Sequence, residues 1–158
     1  MIKKAEIFVA KIIAAIIIIL FVVQACESND KIAELFMKYN KAQANAFAAI
    51  VREAGKEYDV KPEVIASIIV IESGVRPYVI SKGGDYGLMQ VRYKVHKNKV
   101  KSANELLDPK TNIFVGTRIF KQYYSREKSL YNALVRYSGG NKKMAGKVLR
   151  VLISEYGY

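Results

Sequence analysis

The chain between Pro62 and Glu72 is apolar at nearly every position: Val64, Ile65, Ala66, Ile68, Ile69, Val70 and Ile71 are interrupted only by Ser67. Pro62 suits the first position of a helix, where its missing N–H is not needed, and Ser73-Gly74 stops it. A helix that is apolar almost all round has to be buried on most sides. It therefore needs other helices packed around it, and the sequence offers them. Ile32, Leu35, Phe36, Tyr39, Ala42 and Ala46 recur at three- and four-residue steps, and Asn29 or Asp30 can cap the start. This periodicity predicts a helix running to Lys56 with a break near Asn45. Asp108-Pro109-Lys110-Thr111-Asn112 is a helix-start cluster ahead of a helix over 113–124, in which Asn112 reads as a cap. Further helices are expected over 129–137 and 141–156. Gly83-Gly84-Asp85-Tyr86-Gly87 reads as a turn or small hairpin, and residues 88–93 as the start of another helix. Long alternating strands are missing. The expected fold class is α+β, mainly α, with a small β-hairpin region, and 158 residues make one domain's worth of chain.

That domain is expected over 27–158, because residues 1–26 have a different character. Lys3, Lys4 and Lys11 precede an uninterrupted apolar run over 12–23, which ends in Gln24-Ala25-Cys26. A basic head, a short apolar middle and a small residue is the anatomy of an export signal. The run falls short of the roughly 20 residues that cross a bilayer, unless residues 7–10 extend it. Three outcomes fit: cleavage after Ala25, lipidation at Cys26 as in a bacterial lipoprotein box, or retention as a signal anchor. Each puts the remaining chain outside the cytoplasm, in the bacterial envelope. Cys26 is the only cysteine, so an internal disulfide is excluded, and with a single histidine so is an ordinary Cys/His zinc site. No metal or cofactor is expected, and His96, set among lysines, reads as a surface residue.

The formal charge of +12 implies an anionic partner: nucleic acid, lipid headgroups or the acidic polymers of a cell wall. Basic residues are densest at Arg92, Lys94, Lys97, Lys99 and Lys101, and again at Lys142, Lys143, Lys147 and Arg150. No zinc-finger spacing, phosphate loop or aromatic interleaving accompanies them, so a nucleic-acid partner is not expected. Taken alone, such runs are solvated faces.

Glu72 carries the chemistry. A carboxylate ending so apolar a helix is costly to bury ionised, and desolvation raises its pKa until it can hold and donate a proton near neutrality. Glycan cleavage needs such a group, because a glycosidic oxygen leaves poorly until it is protonated. Position alone leaves open a helix-end glutamate that points into water.

The surrounding motifs narrow the choice. The stretch over 58–74, ending in Glu72-Ser73-Gly74, resembles the entry helix of the soluble-type lytic transglycosylases, which ends in a catalytic Glu-Ser. Gly87-Leu88-Met89-Gln90 is similar to their second motif, Leu107-Asp108-Pro109-Lys110-Thr111-Asn112-Ile113 with Gly116-Thr117 to the third, and Tyr137-Ser138-Gly139-Gly140 to the fourth. Four motifs in order, over 58–140, are far more specific than any one. The resemblance implies a lysozyme-like domain with Glu72 at the floor of a cleft. It implies cleavage of the bond between N-acetylmuramic acid and N-acetylglucosamine in peptidoglycan, closing a 1,6-anhydro ring without consuming water. By position it places Met89 and Gln90 beside the sugar, Tyr137 near Glu72 to orient it, and Ser73 on the substrate or the loop that holds it. Ser138 stands where the family usually has Asn, and its shorter side chain leaves that substrate contact in question. Asp85, directly before Tyr86-Gly87, also resembles the second carboxylate of animal-type lysozymes. It can be a stabilising carboxylate, a substrate-binding group or a turn residue, so a hydrolytic muramidase and a catalytically weak wall-binding subunit stay open. Expected partners are peptidoglycan strands, the membrane through the N-terminal segment, and a secretion, pilus or phage assembly.

Overall fold

The computed structural model describes residue 9, residues 12–17 and residues 30–158. Residues 12–17 are helical, and most of the expected signal or anchor segment, Cys26 included, lies outside the described residues. No helix among the described residues is long and apolar enough to cross a membrane. Residues 31–158 form one compact unit.

The unit is built on α1 (Lys31–Met37), α2 (Ala44–Tyr58), α3 (Pro62–Ser73), a two-stranded antiparallel sheet of β1 (Asp85–Tyr86) and β2 (Val91–Arg92), the short α4 (Tyr93–His96), α5 (Pro109–Glu127), α6 (Leu130–Tyr137) and α7 (Lys142–Tyr156). The apolar helix is α3, with α1, α2 and α7 packed around it. Ile65, Ala66 and Ile69 have no exposed surface. Each buried isoleucine contributes about 2 kcal/mol over its exposed state. Pro62 does occupy the first turn, and Gly74 closes the helix in the left-handed conformation, its N–H donating to the Val70 carbonyl. Asp108, Ser129 and Asn141 cap α5, α6 and α7, their side chains accepting from the backbones of Thr111, Asn132 and Met144 respectively.

The expected break near Asn45 falls over 38–43, where Asn40 competes for the backbone. Its side chain accepts from the Gln43 N–H at 3.3 Å and donates to the Val75 carbonyl at 3.1 Å. Residues 88–93 do not start a helix. Gln90 sits at φ 48° and the Met89 N–H is taken by Asn112, so the chain turns and pairs Tyr86 with Val91 and Asp85 with Arg92. Asn112 is not a cap but a fully buried residue inside α5. It accepts from Met89 N–H and donates to the Tyr86 and Leu106 carbonyls, each at 2.7 Å.

Gly87 (φ 71°) lies over that asparagine, where an added Cβ would collide with the Asn112 side chain and the Leu106 carbonyl. Gly87→Ala is expected to destabilise the protein by about 2 kcal/mol or more, read as a lowered Tm.

Candidate active site

The C-terminal end of α3, the β-hairpin, α4, α5, α6 and the start of α7 enclose a cleft of about 350 Å³. Glu72 lines it from the last turn of α3. Among the described residues no side chain donates to or pairs with its carboxyl, which is half-buried. Burial, followed by the negative charge of Asp85, pushes this carboxyl up to about 7 from an ordinary 4.5. A carboxylic acid in that range keeps its proton near neutrality and can give it up.

Asp85 lines the same cleft under opposite conditions. Its partial burial pushes its carboxyl up, but hydrogen bonds from Arg92 and Ser81 outweigh this and hold it below its usual value. Arg92 Nε and Nη2 reach its two oxygens at 2.6 and 3.1 Å, and Ser81 Oγ donates at 2.9 Å. The register of the two strands sets Asp85 opposite Arg92 and so makes this fork possible. Two carboxyls share one cleft, then, one tuned to hold its proton and one to lose it. Asp85→Asn removes the like charge and is expected to lower the pKa of Glu72. Burial is the larger cause, so the value stays above 4.5, and the alkaline limb of the rate profile moves to lower pH.

Gln90, Tyr137 and Ser138 also line the cleft. Gln90 Nε2 donates to the Gly87 and Val79 carbonyls at 2.9 and 3.3 Å, holding the turn that its positive φ strains. The Tyr137 hydroxyl donates to the Met89 carbonyl at 2.9 Å rather than to Glu72. Burial, then the nearby Glu72 charge, keeps that phenol well above its ordinary pKa. Ser138 Oγ donates to the Leu134 carbonyl at 2.9 Å and so closes α6.

Two expected contacts need correction. Met89 has no exposed surface: its sulfur accepts from Thr117 Oγ1, and it packs beneath the cleft instead of lining it. Gly116 makes room for it, since a Cβ there would stand 2.6 Å from the Met89 sulfur and 3.0 Å from the Tyr137 hydroxyl. Ser73 is equally buried, with its hydroxyl donating to the Ile69 carbonyl one turn back. The sequence reading also missed cleft residues. His96 is half-buried in the lining, not on the open surface, and burial together with Lys99 holds its pKa down. Val95, Ile119, Tyr123, Arg136, Asn141 and Met144 complete the walls. Helical periodicity marks none of these as cleft-facing, because each follows from how neighbouring helices pack.

A half-buried acid at the end of an apolar helix thus shares a cleft with the carboxylate of the hairpin. Residues 49–151 match the transglycosylase SLT domain family, and the chain belongs to that family. An endo-type membrane-bound lytic murein transglycosylase A of Cronobacter sakazakii is 29% identical over 130 residues, covering 72% of this chain and 62% of that protein. A membrane-bound lytic murein transglycosylase C of Pectobacterium atrosepticum is 33% identical over 130 residues, covering 72% of this chain and 35% of that protein. The chain thus spans 62% and 35% of the lengths of these two relatives.

Proposed function

We propose that the protein is a peptidoglycan lytic transglycosylase that cleaves the β-1,4 bond between N-acetylmuramic acid and N-acetylglucosamine. The observation that carries this reading is the Glu72 carboxyl, raised to about 7 in a cleft and without a partner among the described residues. Membership of the SLT family and the names of the relatives support it. The neutral acid gives its proton to the bridging oxygen as the bond to the anomeric carbon breaks. The resulting carboxylate then takes the proton of the same sugar's C6 hydroxyl, whose oxygen closes on the anomeric carbon. Protons balance, and the product carries a 1,6-anhydro ring.

The clamp on Asp85 favours this course over hydrolysis. Both of its oxygens are engaged by Arg92, and one also by Ser81. A carboxylate so held is suited to stabilising positive charge at the anomeric carbon and poorly suited to activating water. Gln90, Tyr137 and Ser138 form the walls in this reading, with Met89 and Ser73 supporting them from below. The domain is lysozyme-like over 27–158, and residues 1–26 deliver it to the cell envelope as a cleaved signal, a Cys26-lipidated tether or a retained anchor. Mass spectrometry of a wall digest by the purified protein tests the chemistry. Anhydro ends are expected; reducing ends would make the enzyme a muramidase, and an undigested wall would leave only a binding role.

A further inference from the structure

We infer that residues 92–101, with Arg136 across the cleft, form a cationic margin that binds the carboxylates of the peptide stems carried by the glycan strand. This rests on the reading of the cleft as a peptidoglycan-cleaving site and goes on to name the part of the polymer that the protein recognises. Arg92, Lys94, Lys97, Lys99 and Lys101 fall within ten residues, and no acidic residue occurs between Asp85 and Glu105. Asp85 neutralises Arg92. The side chains of the four lysines have no hydrogen bond or ion pair among the described residues. Val95 and His96, lying between them, line the cleft, so the margin is continuous with it. Arg136 lines the far wall. Its Nε comes only within 3.5 Å of Glu127, and its side chain is 61% exposed.

The cleft's own charges cancel: Arg92 offsets Asp85, and Glu72 holds its proton up to about 7. The margin is what remains, and it is positive. Like charges repel one another. Among the described residues Glu105 sits against this segment, its carboxylate accepting from the Lys101 N–H at 3.0 Å, while the lysine side chains are left for an external anion with spaced charges. The N-acetylated sugar rings are neutral, whereas each muramic acid residue bears a peptide stem ending in carboxylates. A strand leaving the cleft along α4 would carry its stems past the lysines. Lysine suits this role because a compact charge on a flexible stem imposes no fixed geometry on a mobile peptide.

The test uses the full chain in detergent, carrying Glu72→Gln to prevent turnover. Its affinity is measured for stem-bearing glycan strands and for strands stripped of stems by an amidase and then converted to neutral methylamides at the lactyl carboxylates that the amidase frees. Stem-bearing strands are expected to bind about tenfold tighter at low salt, with the gap closing as salt rises. Adding Lys94→Gln, Lys97→Gln and Lys99→Gln together is expected to make the two affinities alike; if that variant melts early, the Lys94→Gln and Lys97→Gln pair is used. Equal affinity of the parent for both strands, or a preference that survives the lysine changes, would overturn the inference. So would tighter binding to duplex DNA or to phosphatidylglycerol vesicles than to stem-bearing strands. The cleavage reading fails separately, by the absence of digestion with wild-type protein.

Discussion

Glu72→Gln is expected to lower cleavage of purified wall by about a thousandfold, measured as muropeptides released per unit time. Glutamine fills the same space but cannot donate a proton to a leaving oxygen, and among the described residues no second acid stands in its place with a raised pKa. Asp85 is held ionised by Arg92 and Ser81. For the wild-type enzyme, the rate should fall as pH rises through about 7, where Glu72 loses its proton. The same substitution has an opposite effect on stability. A carboxyl whose folded pKa is raised contributes stability that is fully present below its unfolded value near 4.5. That contribution is lost as pH climbs through about 7. The Gln variant should therefore match wild type in acid and exceed it above neutrality. The margin is on the order of 2 kcal/mol, trimmed by solvent reaching the cleft. Denaturant melts at pH 4 and pH 8 would show both; a variant that is inactive and equally destabilised at both pH values would point to a damaged fold instead of a missing acid.

Asn112→Ala should have the largest effect on stability. Its side chain joins three backbone groups from separate segments: the Met89 N–H, the Tyr86 carbonyl of β1 and the Leu106 carbonyl. Alanine leaves these groups buried without their partner, at a cost of about 3–4 kcal/mol. The turn carrying Gln90 and the strand carrying Asp85 also lose their tie to α5, so cleavage should fall about tenfold even in the fraction that remains folded. A thermal melt together with rates at 10 °C separates the two effects. An unchanged Tm would show that the three bonds contribute little.

Helical elements were the most legible part of this chain. Local rules predict them: Pro62 opens α3, Asp108, Ser129 and Asn141 cap their helices, and glycine closes α3 at position 74. Glu72 was legible for a related reason, since a charge ending a wholly apolar run has few places to go. The turn over 87–90 was not legible. Its course is imposed by Asn112, more than twenty residues away along the chain, and no window of sequence includes both. The same applies to Met89 and Ser73, which adjoin cleft-lining positions in sequence yet point into the core. Adjacency in a motif says that residues are placed together, not that both face the same side. His96 and Arg136 reach the cleft through packing between elements, which periodicity does not register.

Glu72 belongs to the final turn of α3, which Gly74 ends abruptly in a left-handed cap. Peptide dipoles along such a helix leave partial negative charge on its closing carbonyls, on the side where a carboxylate would form. The main chain thus discourages ionisation alongside burial and the Asp85 charge, a contribution of about 0.3–1 kcal/mol that no side-chain substitution can remove. Redecorating the cleft for a different ligand should therefore leave an acid in place, because part of its reluctance to ionise is written into where the helix stops.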